Sequence, residues 1–412
     1  MLTGREWRIL LLLFLSSLLN YIDRSNLSVG AVDIQRDLGI DAVHLGMLLS
    51  AFFATYATSQ LFMISGWFVD RFDVKFVFAV GFCIWSAATG ITGLAHSFAM
   101  IYGLRLLLGV GESIAFPSYS RILAIQYPEH HRGLANAIVD AGTKTGPALG
   151  TLLGGLFMAR FGWRPFFLAL GGLSLLWLVP WFRWMPRTSV SDRRDDRAGQ
   201  VGIVEILTKR SAWFSAAALF CSNYFWYFLV TWLPPYLEKE RHFPKSKMAV
   251  FGSASYLAIA ASTVVCGWVT DRLIARGGSP TRVRKTAAGL GLSLSTIILP
   301  VCIVRDENVA MALLMTSCLC YGIFAPNLFA MTQTMAGPRA AGKWTGFQNG
   351  FGNLAGVAAP WLTGWVVQQT GQFYVAFLVA AIMALSAAVL YVFGVGPIRQ
   401  VEFRPRARAG AV

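Results

Sequence analysis

GWFVDR at residues 66–71 returns as GWVTDR at residues 267–272, an offset of 201. Each copy ends a long apolar stretch and opens a short basic loop. A weaker echo, at an offset of 209, pairs residues 133–167 with 342–376. Duplication at half-chain scale, in the same sense along the chain, describes two equivalent halves related by an axis along the membrane normal, provided the apolar stretches are spans. In such an arrangement a ligand sits between the halves, near the midplane.

Composition supports spans. The 412 residues are 56% hydrophobic and 13% charged, with a mean hydropathy of +0.56, whereas a soluble domain is about a quarter charged. A span takes about 20 mainly apolar residues. Twelve such stretches fall at 8–30, 44–69, 74–95, 97–121, 133–159, 162–182, 211–237, 247–271, 283–304, 308–334, 342–369 and 371–395. The expected fold is therefore all-α and polytopic: a six-helix bundle over 1–182, a charged cytoplasmic linker over 183–210 that contains RTSVSDRRDDRAGQ, and a second six-helix bundle with a short basic tail over 211–412. Lys and Arg favour cytoplasmic loops. With both termini cytoplasmic, 24 of the 35 Lys and Arg fall in cytoplasmic segments and 8 in outer loops. The remainder are Arg24, Arg105 and Lys144, inside spans.

Several functions are excluded. The net charge of +15 alternates with spans instead of gathering on one water-facing surface, so nucleic acid is not the partner. The six cysteines lie in apolar stretches without ligand spacing, which argues against a metal or a disulfide. There is no nucleophile motif and no phosphate-binding loop, so neither an enzyme nor an ATP-driven pump is expected. Arg5 and Arg8 precede an apolar run that lacks a small-residue cleavage site, which makes it a retained first span.

Within that run, LLNYIDRSNLSVG at 18–30 carries Asp23 and Arg24 side by side. A lone charge at a helix centre costs about 2.5 to 3.5 kcal/mol on insertion scales. Arg105 and Glu112 are seven residues apart on the fourth span, nearly two turns, hence on one face and about 10 Å apart along the axis. Asp140 and Lys144 stand at i, i+4 on the fifth, in the favourable order for an ion pair. These groups could simply tie helices together, but buried pairs stabilise poorly because desolvation can exceed the Coulombic gain. Intramembrane charge therefore marks function. Arginine's planar fork suits a carboxylate ligand, Lys144 adds a further positive charge, and Tyr21, Asn223, Tyr224, Tyr227, Asn349 and Asn353 are expected to line the same cavity.

The stretch Gly66-WFV-Asp70-Arg71-F-Asp73-V-Lys75 resembles the G-x-x-x-D-R-x-G-x-[RK] signature of the major facilitator superfamily, with Asp73 in place of the glycine. The resemblance spans essentially the whole chain. It implies that Gly66, Asp70, Arg71 and Lys75, with Asp271 and Arg272 in the degenerate copy, form a cytoplasmic latch. More narrowly, YIDRSNLSVG, RLLLGVGESIAFPS, TWLPPYL and IFAPN resemble the anion:cation symporter family, which includes bacterial carriers of galactonate, hexuronates, glucarate and phthalate and the sialin-type carriers. That likeness implies import of an organic anion, a sugar acid or similar carboxylate, with protons. Asp23 and Glu112 then hold the protons, and Arg24 and Arg105 are charge partners or substrate clamps. It further implies a monomer in the bacterial inner membrane, driven by the proton gradient without a cofactor. The alternative is export by proton antiport, because the glycines from Gly133 to Gly150 resemble the fifth-span motif of drug antiporters, with Thr151 replacing its last glycine.

Overall fold

The computed structural model describes residues 3–62, 64–127, 129–187 and 201–403. The first half comprises α1 (Gly4–Val29), α2 (Ala31–Leu38), α3 (Ala42–Leu61), α4 (Ile64–Arg71), α5 (Val74–Thr92), α6 (Phe98–Ser113), α7 (Ala115–Gln126), α8 (Glu129–Phe161), α9 (Trp163–Leu176) and α10 (Leu178–Trp184). After α11 (Ile203–Leu207), the second comprises α12 (Arg210–Lys239), α13 (Lys245–Ala275), α14 (Pro280–Ser295), α15 (Ile298–Val301), α16 (Glu307–Phe324), α17 (Asn327–Asn353), α18 (Ala355–Thr370) and α19 (Tyr374–Val389), which runs into a π-turn. Among the described residues, eight helical stretches are long and apolar enough to cross a membrane. The other expected spans are also helical, but α1 and α8 carry charges, and the remaining two are divided between α14 and α15 and between α17 and α18. The centre of the expected linker, 188–200, lies outside the described residues.

Local chemistry sets the helix ends. Thr3 and Glu6 form a capping box at α1, and Asp41, Ser97 and Asp306 cap α3, α6 and α16 through the backbone N–H three residues on. Each satisfies a donor that a helix start leaves orphaned. Asp73, where the resembled signature has glycine, is extended (φ −65°, ψ 118°) and accepts from Lys75 N to cap α5. Gly337 turns the chain within α17 at φ +64°, a conformation that an L side chain resists.

The repeat runs deeper than the quoted hexapeptide. Arg71 stacks on Trp67 at 5.5 Å and Arg272 on Trp268 at 5.1 Å. Lys75 Nζ donates to Phe182 O (2.9 Å) and Met185 O (2.6 Å), capping the end of α10. At an offset of 210, Lys285 Nζ donates to Val392 O (2.8 Å) and to Val395 O at the end of the last helix. A cation satisfying terminal carbonyls is favourable for the helix dipole as well. The side chain of Asp70 lies outside the described residues.

Glycines let α8 lie against α1. A Cβ at Gly142, Gly146 or Gly150 would stand 2.9 Å from Leu18 N, 2.6 Å from Tyr21 Cβ and 2.7 Å from Ser25 Oγ, respectively. A small residue every fourth position is how membrane helices approach closely. The glycines that resemble an antiporter motif thus have a packing role. This contact also turns Asp23 and Arg24 away from α8, toward α3, α5 and α6.

The halves meet chiefly at the ends where the expected outer loops lie. Gly46 and Gly364 bring α3 and α18 into backbone contact, with a Cβ at Gly46 only 2.7 Å from Pro360 O. Ser28 Oγ donates to Thr231 O at 2.7 Å, Lys239 to Gln35, and Lys245 pairs with Asp33 while lying 3.8 Å from Glu238. At the other end, a Cβ at Gly66, Gly342 or Gly346 would meet open space. The packing yields a direct test. Gly146→Ala should lower the thermal midpoint of the purified protein by several degrees, whereas Gly103→Ala, which meets nothing within 4 Å, should leave it unchanged or raise it, since alanine gains up to ~1 kcal/mol over glycine inside a helix. Equal midpoints for the two variants would contradict the close α1–α8 contact.

Candidate functional site

Four charges from two helices share one buried cluster in the first half. Arg24 Nε, on α1, donates to Glu112 Oε2, on α6, at 3.1 Å. Glu112 is fully buried, and Asp23, Arg24 and Arg105 are no more than 4% exposed. Asp23 accepts from Thr89 Oγ1, on α5, at 3.0 Å, and lies within electrostatic reach of Glu112 and Arg105. The Arg24 guanidinium stands over the rings of Tyr21 (4.6 Å), Tyr56 (4.5 Å) and Phe52 (5.0 Å). The face of an aromatic ring attracts a desolvated cation by up to about 2 kcal/mol.

Arg105 differs from Arg24. It stacks on Phe52 at 5.3 Å, forms no ion pair among the described residues, and its buried Nε has no hydrogen-bond partner. A buried guanidinium with an unused donor is costly unless a ligand completes it. With all four groups ionised the cluster is neutral. One proton on either carboxylate gives it a net positive charge, which favours an incoming anion. Arginine can take a carboxylate through two parallel hydrogen bonds, and Arg105 is the cation here that no carboxylate already holds.

From the second half, Tyr227 on α12 packs its ring on Phe53 at 4.3 Å and interacts electrostatically with Arg24. Its hydroxyl donates to Asn353 Oδ1, and Asn353 Nδ2 donates to Asn349 O at 2.8 Å, on the last turns of α17. Neutral hydrogen-bonding groups from one half therefore adjoin charges from the other. Asn223 lies beside Gly352. Tyr224 is buried in the apolar cluster with Phe53, Tyr227 and Ala355.

Asp140 is exposed on α8 and accepts from Thr143 Oγ1 at 3.0 Å, on the side of the helix opposite the glycines 142, 146 and 150 that pack on α1. The side chain of Lys144, expected to pair with Asp140, lies outside the described residues. Thr89, Phe52 and Tyr56 are site residues that the sequence did not reveal. A threonine and two aromatics in apolar spans look like many others in a chain that is 14% aromatic.

The Major Facilitator Superfamily profile matches residues 13–360 and 281–411. A probable galactarate/D-glucarate transporter of Bacillus subtilis is 28% identical, covering 98% of this chain and 94% of its own. The D-galactonate transporter of Escherichia coli is also 28% identical, over 96% of this chain and 97% of its own. The solved structure of a bacterial homologue of the human lysosomal transporter Spinster, inward-facing and unoccupied, shares the fold with a TM-score of 0.80 at 18% identity, over 97% of this chain and 98% of that one.

A pair of substitutions separates a working pair from a brace. Glu112→Ala strands a buried arginine and should destabilise by about 3 to 5 kcal/mol, while Arg24→Met with Glu112→Leu should be neutral or stabilising by up to about 4 kcal/mol and yet abolish transport. Thermal unfolding and uptake assays read both; a double variant that still transports would contradict a functional role for the pair. The long apolar helices, the duplicated halves, the family profile and the relatives agree that the chain is a multi-pass membrane transporter, not an enzyme, and belongs to the Major Facilitator Superfamily as one of its anion:cation symporter type.

Proposed function

We propose that this transporter imports an organic anion together with protons across a bacterial inner membrane, as a monomer and by alternating access. The substrate class that best suits it is a sugar acid: an aldonate, uronate or aldarate. The observation that carries the proposal is the buried Arg24–Glu112 pair at 3.1 Å beside Arg105, which forms no ion pair among the described residues. The names of the relatives, which are carriers of galactarate or glucarate and of galactonate, support the substrate class. The Tyr227–Asn353–Asn349 chain supplies neutral donors and acceptors of the kind that hydroxyl groups require.

The mechanism follows from charge balance. An anion arriving at Arg105 and Arg24 competes with Glu112 for the guanidinium of Arg24. Glu112, losing its partner while buried, holds a proton instead, so anion and proton load together. Asp23, fixed by Thr89, is the second proton site. The loaded cluster approaches neutrality, which lowers the penalty of closing the bundle around it. Release on the cytoplasmic side restores the Arg24–Glu112 pair, and the halves can then reopen outward by parting the Gly46–Gly364 and Lys245–Asp33 contacts.

Proteoliposomes test the coupling. Uptake of galactonate or glucarate should rise severalfold under an inward proton gradient, and Glu112→Gln should abolish gradient-driven accumulation while sparing counterflow exchange. Uptake that ignores the gradient, or a Glu112→Gln variant that accumulates normally, would overturn the proton assignment.

A further inference from the structure

Between α14 and α19 an open groove of about 500 Å3 runs from Arg282, Lys285 and Thr286 at one end to Leu290, Val392 and Phe393 along its length. It lies in the second half, away from the charged cluster. We infer that this groove binds an anionic phospholipid of the cytoplasmic leaflet, its phosphate at Arg282 and Lys285 and an acyl chain along Leu290, Val392 and Phe393.

The internal repeat shows what is special about the place. In the first half the equivalent positions carry partly exposed aromatic rings: Phe76 and Phe182 face each other at 6.2 Å, and Arg187 lies over Phe76 at 5.5 Å. At the offset of 210 that relates Lys75 to Lys285, Phe76 becomes Thr286, Phe182 becomes Val392, Phe72 becomes Arg282 and Arg187 becomes Pro397. The Phe76–Phe182 pair and the arginine over it are thus replaced by Thr286, Val392 and Pro397, and the Phe72 ring by the basic Arg282, while the lysine anchor is kept. A space of this size lies in the range of ligand sites.

Its chemistry is graded along its length. Arg282 is exposed and makes no ion pair among the described residues. Lys285 spends two of its three donors on Val392 O and Val395 O, which leaves one for a ligand. Thr281 Oγ1 accepts from Ile398 N at 2.9 Å, and its own proton remains available at the same end. Farther along, Leu290 and Phe393 are 54% and 80% exposed, a surface that only a hydrocarbon environment tolerates. The polar end adjoins the basic loop after α13, which the positive-inside rule places in the cytoplasm. That leaflet carries the anionic lipids, and basic pockets between spans on that side suit their headgroups.

Native mass spectrometry of the full chain in detergent, titrated with phosphatidylglycerol or with phosphatidylcholine of the same acyl chains, tests this. Phosphatidylglycerol should be retained at least about fivefold more, the factor expected from ~1 kcal/mol for a single basic residue. Arg282→Gln should lower that preference severalfold, and Thr286→Phe, which restores the ring used by the first half, should reduce retention of both. Parity in the unaltered protein, or a preference undiminished by Arg282→Gln, would overturn the inference. Should Thr286→Phe fail to fold, the Arg282→Gln comparison decides alone.

Discussion

The ion pair between Arg24 and Glu112 is the constraint around which the first half is arranged. Both groups are removed from water, so each depends on the other, and a misplacement of either helix by an ångström would leave a bare charge in the bundle. The contacts around the pair hold it. Glycines at 142, 146 and 150 bring α8 against α1, three rings enclose the guanidinium, and Thr89 orients the neighbouring carboxylate. Structural stability alone does not explain such an investment, because well-packed leucines would serve as well. A pair whose partners can be exchanged for an anion and a proton does explain it.

The two halves share a plan and divide the work. Lysine anchors at 75 and 285 and arginine–tryptophan stacks at 71 and 272 recur with matching geometry, so the duplicated scaffold persists where both copies must brace a loop. The site does not repeat. Among the described residues the four buried charges belong to the first half, whereas the second contributes the neutral side chains of Tyr227 and Asn353. On the proposed function, an anion bound between them would have its charge met on one side and its hydroxyls on the other. It would thereby link the halves that must move against each other.

Much of this was legible in the sequence, for physical reasons. Apolar length and the absence of charge identify spans, and the GWFVDR repeat fixes the duplication. A charge in such a span is rare enough to point directly at Asp23, Arg24, Arg105 and Glu112. The partnering was not legible: the seven-residue spacing of Arg105 and Glu112 puts them on one face, yet the salt bridge forms across helices, between Glu112 and Arg24. Asp140 fits the same charge rule and still lies outside the cluster, since periodicity along one helix does not tell which face its neighbours cover. Thr89, Phe52 and Tyr56 gave no signal because their residue types are ordinary in spans. The groove between α14 and α19 has no signature in the sequence, because the two helices that form it are far apart along the chain.

The central claim is that an anion and a proton load at the same pair. Its most direct measurement is proton uptake by the purified transporter in weakly buffered detergent solution, followed with a pH indicator as galactonate or glucarate is added. The solution should become more alkaline in proportion to the transporter present, and the signal should vanish in Glu112→Gln. Anion binding without proton uptake, or with proton release, would contradict it.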